Sequence, residues 1–550
     1  MSNKTAYNIS DNTYTKKELF GYLTGMFGQN VIYQVIAAGL VSVYLGTVLY
    51  IPASVVAVIL FAARIWDAIN DPMMGTIVDR THTKWGKCRP YLIIFPAIIG
   101  AMTILCFVNG IYTNPGASKA LIIAWAAISY IVWGMLFTVC DIPLWGITSL
   151  MTEDMDDRAK ILGLARIAAG IGGIGTVISF IPGFLKGMFE GKYNAMVDGE
   201  NFTQQMANNY TARAAWIATV VIITVVATIC FEIAGLVAKE RVPGDAEDKR
   251  GIIENFKIMW KCLPFRQILI SGVIRSPLQL LMIIAMPLVL YYYTDNAFEN
   301  VGNLDGGKRI IKIAIIGLAV FIPQFVSMAI TPNLVKRYEN KKIYNFFSVA
   351  GAVPYGLIFV GYLLSKGNLL SWGWVIASAV CIGFASASMG GINVMQSIMI
   401  ADCVDYEEFH NGYRPDGVFF SGQSFLTKLS GGIAALIQGL VYTIVKFSDQ
   451  NLDNINYRLA QGEHFYELDG GKYAAAMFFL ISVPIAVSML LSALPMKNYA
   501  MTDDEHRKML NALIKRRTGE TETASQPDVA AQALIDNMDE IVDTINKIEE

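Results

Sequence analysis

Four polar side chains that could coordinate an ion lie inside one apolar segment, from about residue 51 to residue 78. They are Arg64, Asp67, Asn70 and Asp71. At helical spacing the arginine and the two aspartates share one stripe, and the asparagine lies beside it. A charge at mid-membrane depth costs roughly 2.5–3.5 kcal/mol on insertion scales, so such residues usually serve an ion, a proton or a substrate. The stripe predicts a coordination patch that faces a cavity; a purely structural ion pair with Arg64 is the alternative.

Three more ionisable residues, Asp141, Arg166 and Lys428, fall inside other apolar segments. With a helical rise of about 1.5 Å per residue, they and Asp67 lie roughly 8 to 18 Å from the cytoplasmic ends of their segments. Side-chain reach covers these differences, so opposite charges from both halves of the chain are predicted to meet in one central region, as alternating access requires. Trp145, one turn after Asp141, could stack on a pyranose ring or could pack in the core.

The elements that must position these residues are apolar stretches long enough to cross a membrane. Hydrophobic residues make up 54% of the chain and charged residues 16%, whereas soluble domains carry about 25% charged residues. Twelve stretches can each span a hydrocarbon core of roughly 30 Å. They are predicted at approximately 21–50, 52–79, 91–111, 120–150, 161–186, 213–238, 266–294, 309–333, 343–364, 372–402, 418–446 and 473–497. We therefore expect an all-α polytopic membrane protein surrounded by a lipid bilayer, with no nucleic-acid partner.

The twelve spans divide into two groups of six around a polar connection. We predict an N-terminal six-helix bundle at 21–238 and a C-terminal six-helix bundle at 266–497, joined by a cytoplasmic linker at 239–265. The N-terminus at 1–20 and the tail at 498–550 are predicted to be cytoplasmic. Basic residues concentrate in the loops after spans two, six and eight, which places both termini in the cytoplasm. Two six-helix bundles match the major facilitator fold. The end of the tail, from Leu534 to Ile548, has the spacing of an amphipathic acidic helix; a mostly disordered tail is the alternative.

Several motifs in these spans and loops resemble one family of transporters. They include Asp67-Ala-Ile-Asn-Asp71-Pro-Met-Met-Gly75, Lys84-Trp-Gly-Lys-Cys-Arg89-Pro-Tyr and Asp141-Ile-Pro-Leu-Trp145. The stretches 401–409, 414–428 and 501–508 match further motifs in the same order. Together they resemble the glycoside–pentoside–hexuronide:cation symporters, the melibiose carrier family of the major facilitator superfamily. The resemblance covers about residues 19–517 and implies twelve transmembrane helices in two bundles.

This resemblance implies roles for individual residues. The coupling cation would be bound by Asp67, Asn70, Asp71 and Thr138, with Asp67 and Asp71 as metal ligands if the cation is Na⁺. The residues predicted to bind the sugar, or to couple it to the cation, are Asn30, Arg64, Asp141, Trp145, Arg166, Gln423, Ser424 and Lys428. Paired carboxylates suit this chemistry, because hard oxygen ligands hold Na⁺ and a protonated carboxyl could carry H⁺ instead.

At four positions the chain departs from the family pattern. Gln29 and Asn30 stand where the melibiose carrier has a lysine and an aspartate in span one. An aromatic residue further along span one is replaced by Ala37, and a tryptophan of span ten by Asn393. Because one acid is lost while the basic residues of the predicted site remain, an anionic sugar such as a hexuronide becomes a hypothesis for the substrate.

We expect a secondary active transporter that imports a sugar by symport with Na⁺ or H⁺ through alternating access. No cofactor beyond the coupling ion is expected, and no nucleophile–base pair, phosphate loop or metal cluster suggests an enzyme. The predicted location is a bacterial inner membrane. A sugar exchanger, an amphiphile or lysolipid transporter on the same fold, and a non-transporting membrane sensor are the alternatives. The sequence leaves open the sugar, the cation and the oligomeric state.

Overall fold

The computed structural model describes residues 13–49, 51–108, 110–113, 117–173, 181–197, 203–242, 252–296, 306–447 and 449–518. The amphipathic helix predicted at the end of the tail lies outside these residues. The helices of the first half are α1 Lys16–Gln34, α2 Ala53–Asp79, α3 Arg89–Phe107, α4 Lys119–Met151, α5 Met155–Gly172, α6 Ile181–Asn194, α7 Gln204–Val237 and α8 Ile252–Lys261. Those of the second half are α9 Leu263–Ile274, α10 Leu280–Pro287, α11 Gly306–Val335, α12 Asn340–Leu364, α13 Trp372–Asn411, α14 Asp416–Val445, α15 Asp449–Ala460, α16 Lys472–Leu480, α17 Val483–Lys497 and α18 Asp503–Thr518.

Helix starts in the first half are fixed by side chains that accept backbone N–H groups. Thr15 and Glu18 form a capping box at the start of α1. Ser118, Asp154 and Thr203 accept N–H groups at the starts of α4, α5 and α7. These short polar side chains satisfy donors that the first turn of a helix leaves without partners.

Helices occur at all twelve positions where the sequence predicts a membrane span. Eight helices of the described ranges are long and apolar enough to cross a membrane, and a ninth span is the pair Leu263–Ile274 and Ser276–Ala285, bent by 51°. The bend coincides with Pro277, which cannot donate a backbone hydrogen bond. The other three predicted spans correspond to α1 with its π-helical continuation Val35–Val48, to α2 and to α5. The helix α2 is long enough to cross a membrane, but its ionisable residues lower its mean hydropathy.

The chain forms two compact units. The first comprises Met1–Phe256 together with Tyr413–Phe425, and the second comprises Lys257–Gly412 together with Leu426–Glu550. The change from one unit to the other after Phe256 lies inside the predicted linker. The segment Tyr413–Phe425, which we expected in the C-terminal bundle, belongs to the first unit and contains the first ten residues of α14.

In the first unit, α1 packs against α5 and α7, while α4 packs against α2 and α3. The helices that carry the predicted site are thus neighbours. Where Gly75 of α2 meets Gly417 of α14, the backbones nearly touch, because a Cβ added at Gly75 would lie 2.6 Å from the Gly417 carbonyl oxygen. A side chain at either position would separate the two helices.

In the second unit, α13 packs against α11 and α12 and runs nine residues beyond the predicted end of span ten, to Asn411. Its final turns are covered by the tail helix α18. His506 of α18 is 1% exposed and lies 3.1 Å from Asp405 and 3.7 Å from Asp402. Because these aspartates have a partner on α18, they can be buried in a helix rather than exposed in the predicted loop.

His506→Leu should loosen the tail helix. Removing the imidazole takes away a hydrogen-bond partner of the buried Asp405 carboxylate, a loss that typically costs about 1–3 kcal/mol. Hydrogen exchange followed by mass spectrometry should then show faster deuterium uptake over 503–518. His82→Leu, in an exposed loop, is the matched control. Unchanged protection of α18 in His506→Leu would contradict this account of tail docking.

Candidate functional site

The predicted cation patch lies where α2 faces α4. Thr138 of α4 donates its hydroxyl to Asp71 Oδ1 over 3.1 Å. One turn earlier on both helices, Asp67 lies beside Gly134, where an added Cβ would be 3.8 Å from Asp67 Oδ1. Asp67 and Asp71 therefore face two small residues of α4, Gly134 and Thr138. Both carboxylates lie on the same side of α2, at its interface with α4.

Arg64 and Asn70 complete the patch. Arg64 Nη1 lies 3.3 Å from Asp67 Oδ2, so the predicted ion pair is present. Asp71 and Asn70 are 0% and 4% exposed. Within the described ranges the Asn70 amide nitrogen makes no hydrogen bond. Because the oxygen and nitrogen of an asparagine amide exchange places by a simple flip, this side chain could present its oxygen to a cation.

Asp141 forms a second polar cluster three residues after Thr138 on the same helix. Gln29 of α1 donates to Asp141 Oδ1 over 2.9 Å. Ser424 of α14 donates to Asp141 Oδ2 over 3.1 Å. The Asp141 carboxylate is half-buried, so it can accept further hydrogen bonds from a ligand.

Trp145, one turn further along α4, lies against Arg166 of α5. The Arg166 guanidinium carbon lies 4.2 Å above the centre of the Trp145 ring, a cation–π arrangement. Trp145 is 8% exposed. One face of the indole thus contacts an arginine rather than a sugar, and the predicted stacking on a pyranose ring stays a prediction.

The remaining predicted residues have different surroundings. Asn30 lies beside Gln29 and donates to its side-chain oxygen over 2.7 Å. Gln423 is buried in the first unit next to Ser424. Lys428 is half-buried and belongs to the second unit, so the expected meeting of charges from both halves stays a prediction. In the sequence, Gln29 stands out only as a departure from the family pattern; its place beside the predicted site residue Asn30 is the signal that identifies it.

A third cluster surrounds Lys87 in the loop between α2 and α3. Its ammonium group lies 2.9 Å from Asp79 Oδ1 and 2.8 Å from Asp416 Oδ2. Arg414 lies 3.2 Å from the other Asp416 oxygen. Asp79 also accepts the backbone N–H groups of Gly417 and Val418, both over 2.8 Å, at the start of α14. Lys87 of this basic loop is thus paired with two acidic residues, one at the end of α2 and one at the start of α14.

The charges around Lys87 determine its protonation. Burial disfavours the ammonium form, but the neighbouring Asp416 and Asp79 carboxylates outweigh burial and raise the pKa of Lys87. The amine thus stays charged across physiological pH. Stabilisation from these ion pairs is complete below the ordinary lysine pKa of about 10.4 and is lost only as the pH rises through the higher folded-state pKa.

Buried ionisable residues on facing helices of a multi-span α-helical protein are typical of membrane transporters. The fold of this protein is the major facilitator fold, shared with two solved structures at low sequence identity. The major facilitator superfamily transporter FucP in the outward conformation gives a TM-score of 0.52 at 11% identity over 86% of this chain and 98% of that one. The proton:xylose symporter XylE gives 0.51 at 12% identity over 89% and 97%.

The chain belongs to the MFS/sugar transport protein family, whose pattern it matches over residues 21–503. Among its curated relatives is the isoprimeverose transporter of Lactiplantibacillus pentosus, 25% identical over 79% of this chain and 81% of that protein. The raffinose carrier protein of Pediococcus pentosaceus is 23% identical over 88% and 68%. The putative glycoside/cation symporter YagG of Escherichia coli is 22% identical over 94% and 99%. The predicted family and fold class are confirmed.

Thr138→Val should weaken cation binding, because it removes the hydroxyl that contacts Asp71 while keeping the shape of the side chain. A hydrogen bond to a charged group contributes about 1.5–3 kcal/mol, so the cation concentration for half-maximal effect should rise about tenfold or more. The readout is the thermal midpoint of the purified protein titrated with NaCl at fixed pH. Thr138→Ser keeps the hydroxyl and should behave like wild type; equal titrations for Val and wild type would contradict the assignment.

Lys87→Met should open the third cluster, because it leaves Asp79 and Asp416 without their shared ammonium partner. The neighbouring Cys88, 0% exposed, should then react faster with N-ethylmaleimide, while the equally buried Cys106 serves as the internal control. Lys84→Met, at an exposed residue of the same loop, is the matched variant. In wild type, the labelling rate of Cys88 is divided by that of a free thiol at the same pH. This ratio should stay low from about pH 6 to pH 9. Equal Cys88 labelling in Lys87→Met and wild type would exclude this role for the ion pairs.

Proposed function

We propose that the protein imports a sugar in symport with Na⁺ or H⁺, by alternating access. The observation that carries this proposal is the placement of two polar clusters on one helix. Thr138 of α4 contacts the cation patch, and Asp141, three residues later, contacts Gln29 and Ser424. Three residues correspond to a rise of about 4.5 Å. An ion that orders α4 at Thr138 therefore also fixes the position of Asp141.

This arrangement supplies a physical basis for coupling. A cation bound between Asp67, Asp71 and Thr138 would hold α2 and α4 together, and a sugar bound at Asp141 would favour the same arrangement of α4. Each ligand then raises the affinity for the other by the same factor. Coupled transport follows when the protein changes conformation readily with both ligands or with neither.

The charges of the cation patch favour a monovalent ion. Arg64 contributes one positive charge, and Asp67 and Asp71 contribute two negative charges, so one added positive charge makes these residues neutral together. Na⁺ would use the carboxylate, hydroxyl and amide oxygens as hard ligands, whereas a proton would reside on one carboxylate. Either ion would offset the cost of a buried negative charge.

The substrate class follows from the polar groups around α4. Asp141 can accept sugar hydroxyls, and the Arg166 guanidinium could pair with the acid group of a hexuronide. Glycosides, pentosides and hexuronides are therefore the substrates that we propose; two of the relatives are named for isoprimeverose and raffinose. We also propose that the protein lies in a bacterial cell membrane with both termini in the cytoplasm, where the Lys87 cluster would close the site during part of each cycle.

The test measures uptake in membrane vesicles under imposed Na⁺ or H⁺ gradients. The probes are isoprimeverose, raffinose and the methyl β-glycosides of glucose, xylose and glucuronic acid. Wild type should accumulate at least one probe when one gradient is applied, and Asp67→Cys should lose this accumulation because a ligand of the cation is gone. Asp504→Asn, at an exposed residue of the tail helix, is the control.

The same assay separates symport from its alternatives. Probe movement that ignores both gradients and is unchanged in Asp67→Cys would overturn the proposal and indicate a facilitator or exchanger. Full competition by neutral glycosides with none by the glucuronide would exclude the hexuronide hypothesis while leaving symport intact.

A further inference from the structure

The seventh predicted span is broken at Arg275, which carries a charge deep inside the second unit. The helix α9 has 12 residues and Arg275 follows it directly, so this residue lies about 18 Å from the start of the helix. Arg275 is 6% exposed. A charge at this depth in a membrane span is costly, and a residue that carries one usually has a function beyond packing.

The Arg275 guanidinium group donates to two other helices of the second unit. Arg275 Nη1 donates to the Tyr344 hydroxyl of α12 over 2.7 Å, and Arg275 Nη2 donates to Gln396 Oε1 of α13. Both acceptors belong to buried, neutral side chains. Arg275 therefore connects the break in the span to α12 and α13 through charge-assisted hydrogen bonds, which are stronger than bonds between neutral groups.

The Tyr344 hydroxyl extends this connection to a fourth helix. Ser271 Oγ of α9 lies 2.7 Å from the Tyr344 hydroxyl and donates to the Ser492 carbonyl oxygen of α17 over 2.6 Å. Because a serine hydroxyl has one proton, Ser271 must accept from Tyr344, which in turn accepts from Arg275. The bonds thus run in one direction, and each polarises the next. We refer to Arg275, Tyr344, Gln396, Ser271 and Ser492 as the elbow cluster.

The backbone at the break has further contacts within the second unit. Pro277 lacks an N–H group, and the two halves of the span meet at 51°. Ser276 Oγ lies 3.1 Å from Ser430 Oγ of α14. One turn before the break, a Cβ added at Gly272 would clash with the Leu426 side chain of α14. The span is therefore packed closely against α14 beside the elbow cluster.

A break in a membrane span can be a hinge, whose angle changes, or a fixed elbow. A hinge needs contacts that are exchanged at low cost. Here a rotation of α10 against α9 would take the buried Arg275 guanidinium away from its acceptors. A hydrogen bond to a charged group contributes about 1.5–3 kcal/mol, so the two bonds together oppose such a rotation.

We propose that Arg275 is a positioning residue that fixes this break as an elbow, so that α9 and α10 keep one angle throughout the transport cycle. Arg275 acts through Tyr344 and Gln396, which hold its guanidinium group in place. The inference goes beyond the proposed function, because it does not depend on which sugar or cation is carried.

Hydrogen exchange followed by mass spectrometry tests the elbow in the full-length protein in lipid nanodiscs. Gln396→Leu removes the acceptor on α13, so amide exchange over 276–282 should become about tenfold faster or more. Gln396→Glu keeps an acceptor for Arg275 and should exchange as slowly as wild type. Gln324→Leu makes the same chemical change as Gln396→Leu at another buried glutamine of the second unit and is the matched control.

Tyr344→Phe is the second variant, because it removes the acceptor on α12 and keeps the ring. It should also speed exchange over 276–282. Unchanged exchange over 503–518 in the same spectra identifies variants that keep their fold.

Two readouts separate an elbow from a residue that only packs. In wild type, exchange over 276–282 should stay the same when NaCl or a transported probe is added, while peptides of α2 and α4 respond to the ion. In the vesicle assay, Gln396→Leu should lower the maximal rate of uptake several-fold and leave the KM nearly unchanged, because no residue proposed to bind the sugar is altered.

The outcomes distinguish this inference from the proposed function. Equal exchange over 276–282 in Gln396→Leu and wild type, or equally fast exchange in Gln396→Glu and Gln396→Leu, would overturn the role of Arg275. Exchange over 276–282 that changes with ligand in wild type would show a hinge and also overturn it. If wild type accumulates no probe under either gradient, the proposed function fails, and the comparison of the two Gln396 variants still decides the inference.

Discussion

The hydrogen bond from Thr138 to Asp71 joins the two helices on which the first unit's chemistry depends. Asp71 is buried, and a buried carboxylate is costly unless hydrogen bonds or opposite charges surround it. Its contact with Thr138 fixes the register of α4 against α2, with Gly134 beside Asp67 one turn earlier. Once this register is set, Asp141 and Trp145 are fixed further along α4, facing α1, α5 and α14.

Polar groups of the first unit are satisfied in two different ways. Around Lys87, one ammonium group is shared by two carboxylates that also receive backbone or side-chain donors, so the cluster is electrically and geometrically complete. Around α2 and α4, Asp67 is paired with Arg64, and Asp71 accepts a hydrogen bond from Thr138. The first kind of cluster suits a contact that forms and breaks as a unit, and the second suits binding of a cation from solution.

The neutral amides on α1 bear on how sugar selectivity could differ between relatives. With a lysine and an aspartate at positions 29 and 30, as in the resemblance noted above, α1 would bring both charges to the site. Here Gln29 and Asn30 bring no charge, and Gln29 contacts Asp141 through a hydrogen bond. A change of two side chains on one helix thus alters the electrostatics while the fold stays the same.

The sequence by itself determined the fold class, the approximate spans, the family and the polar residues of α2 and α4. Apolar length and helical spacing are local properties, and the price of a charge in a membrane singles out residues such as Asp67 and Asp71. It did not reveal that Gln29 holds Asp141, that Arg166 covers a face of Trp145, or that residues 413–425 pack with the first unit. Nor did it reveal that His506 of α18 contacts Asp402 and Asp405 near the end of α13. Only the tertiary structure decided these points, because they depend on which helix faces meet, and residues as far apart as 29, 141 and 424 are related by packing rather than by spacing along the chain.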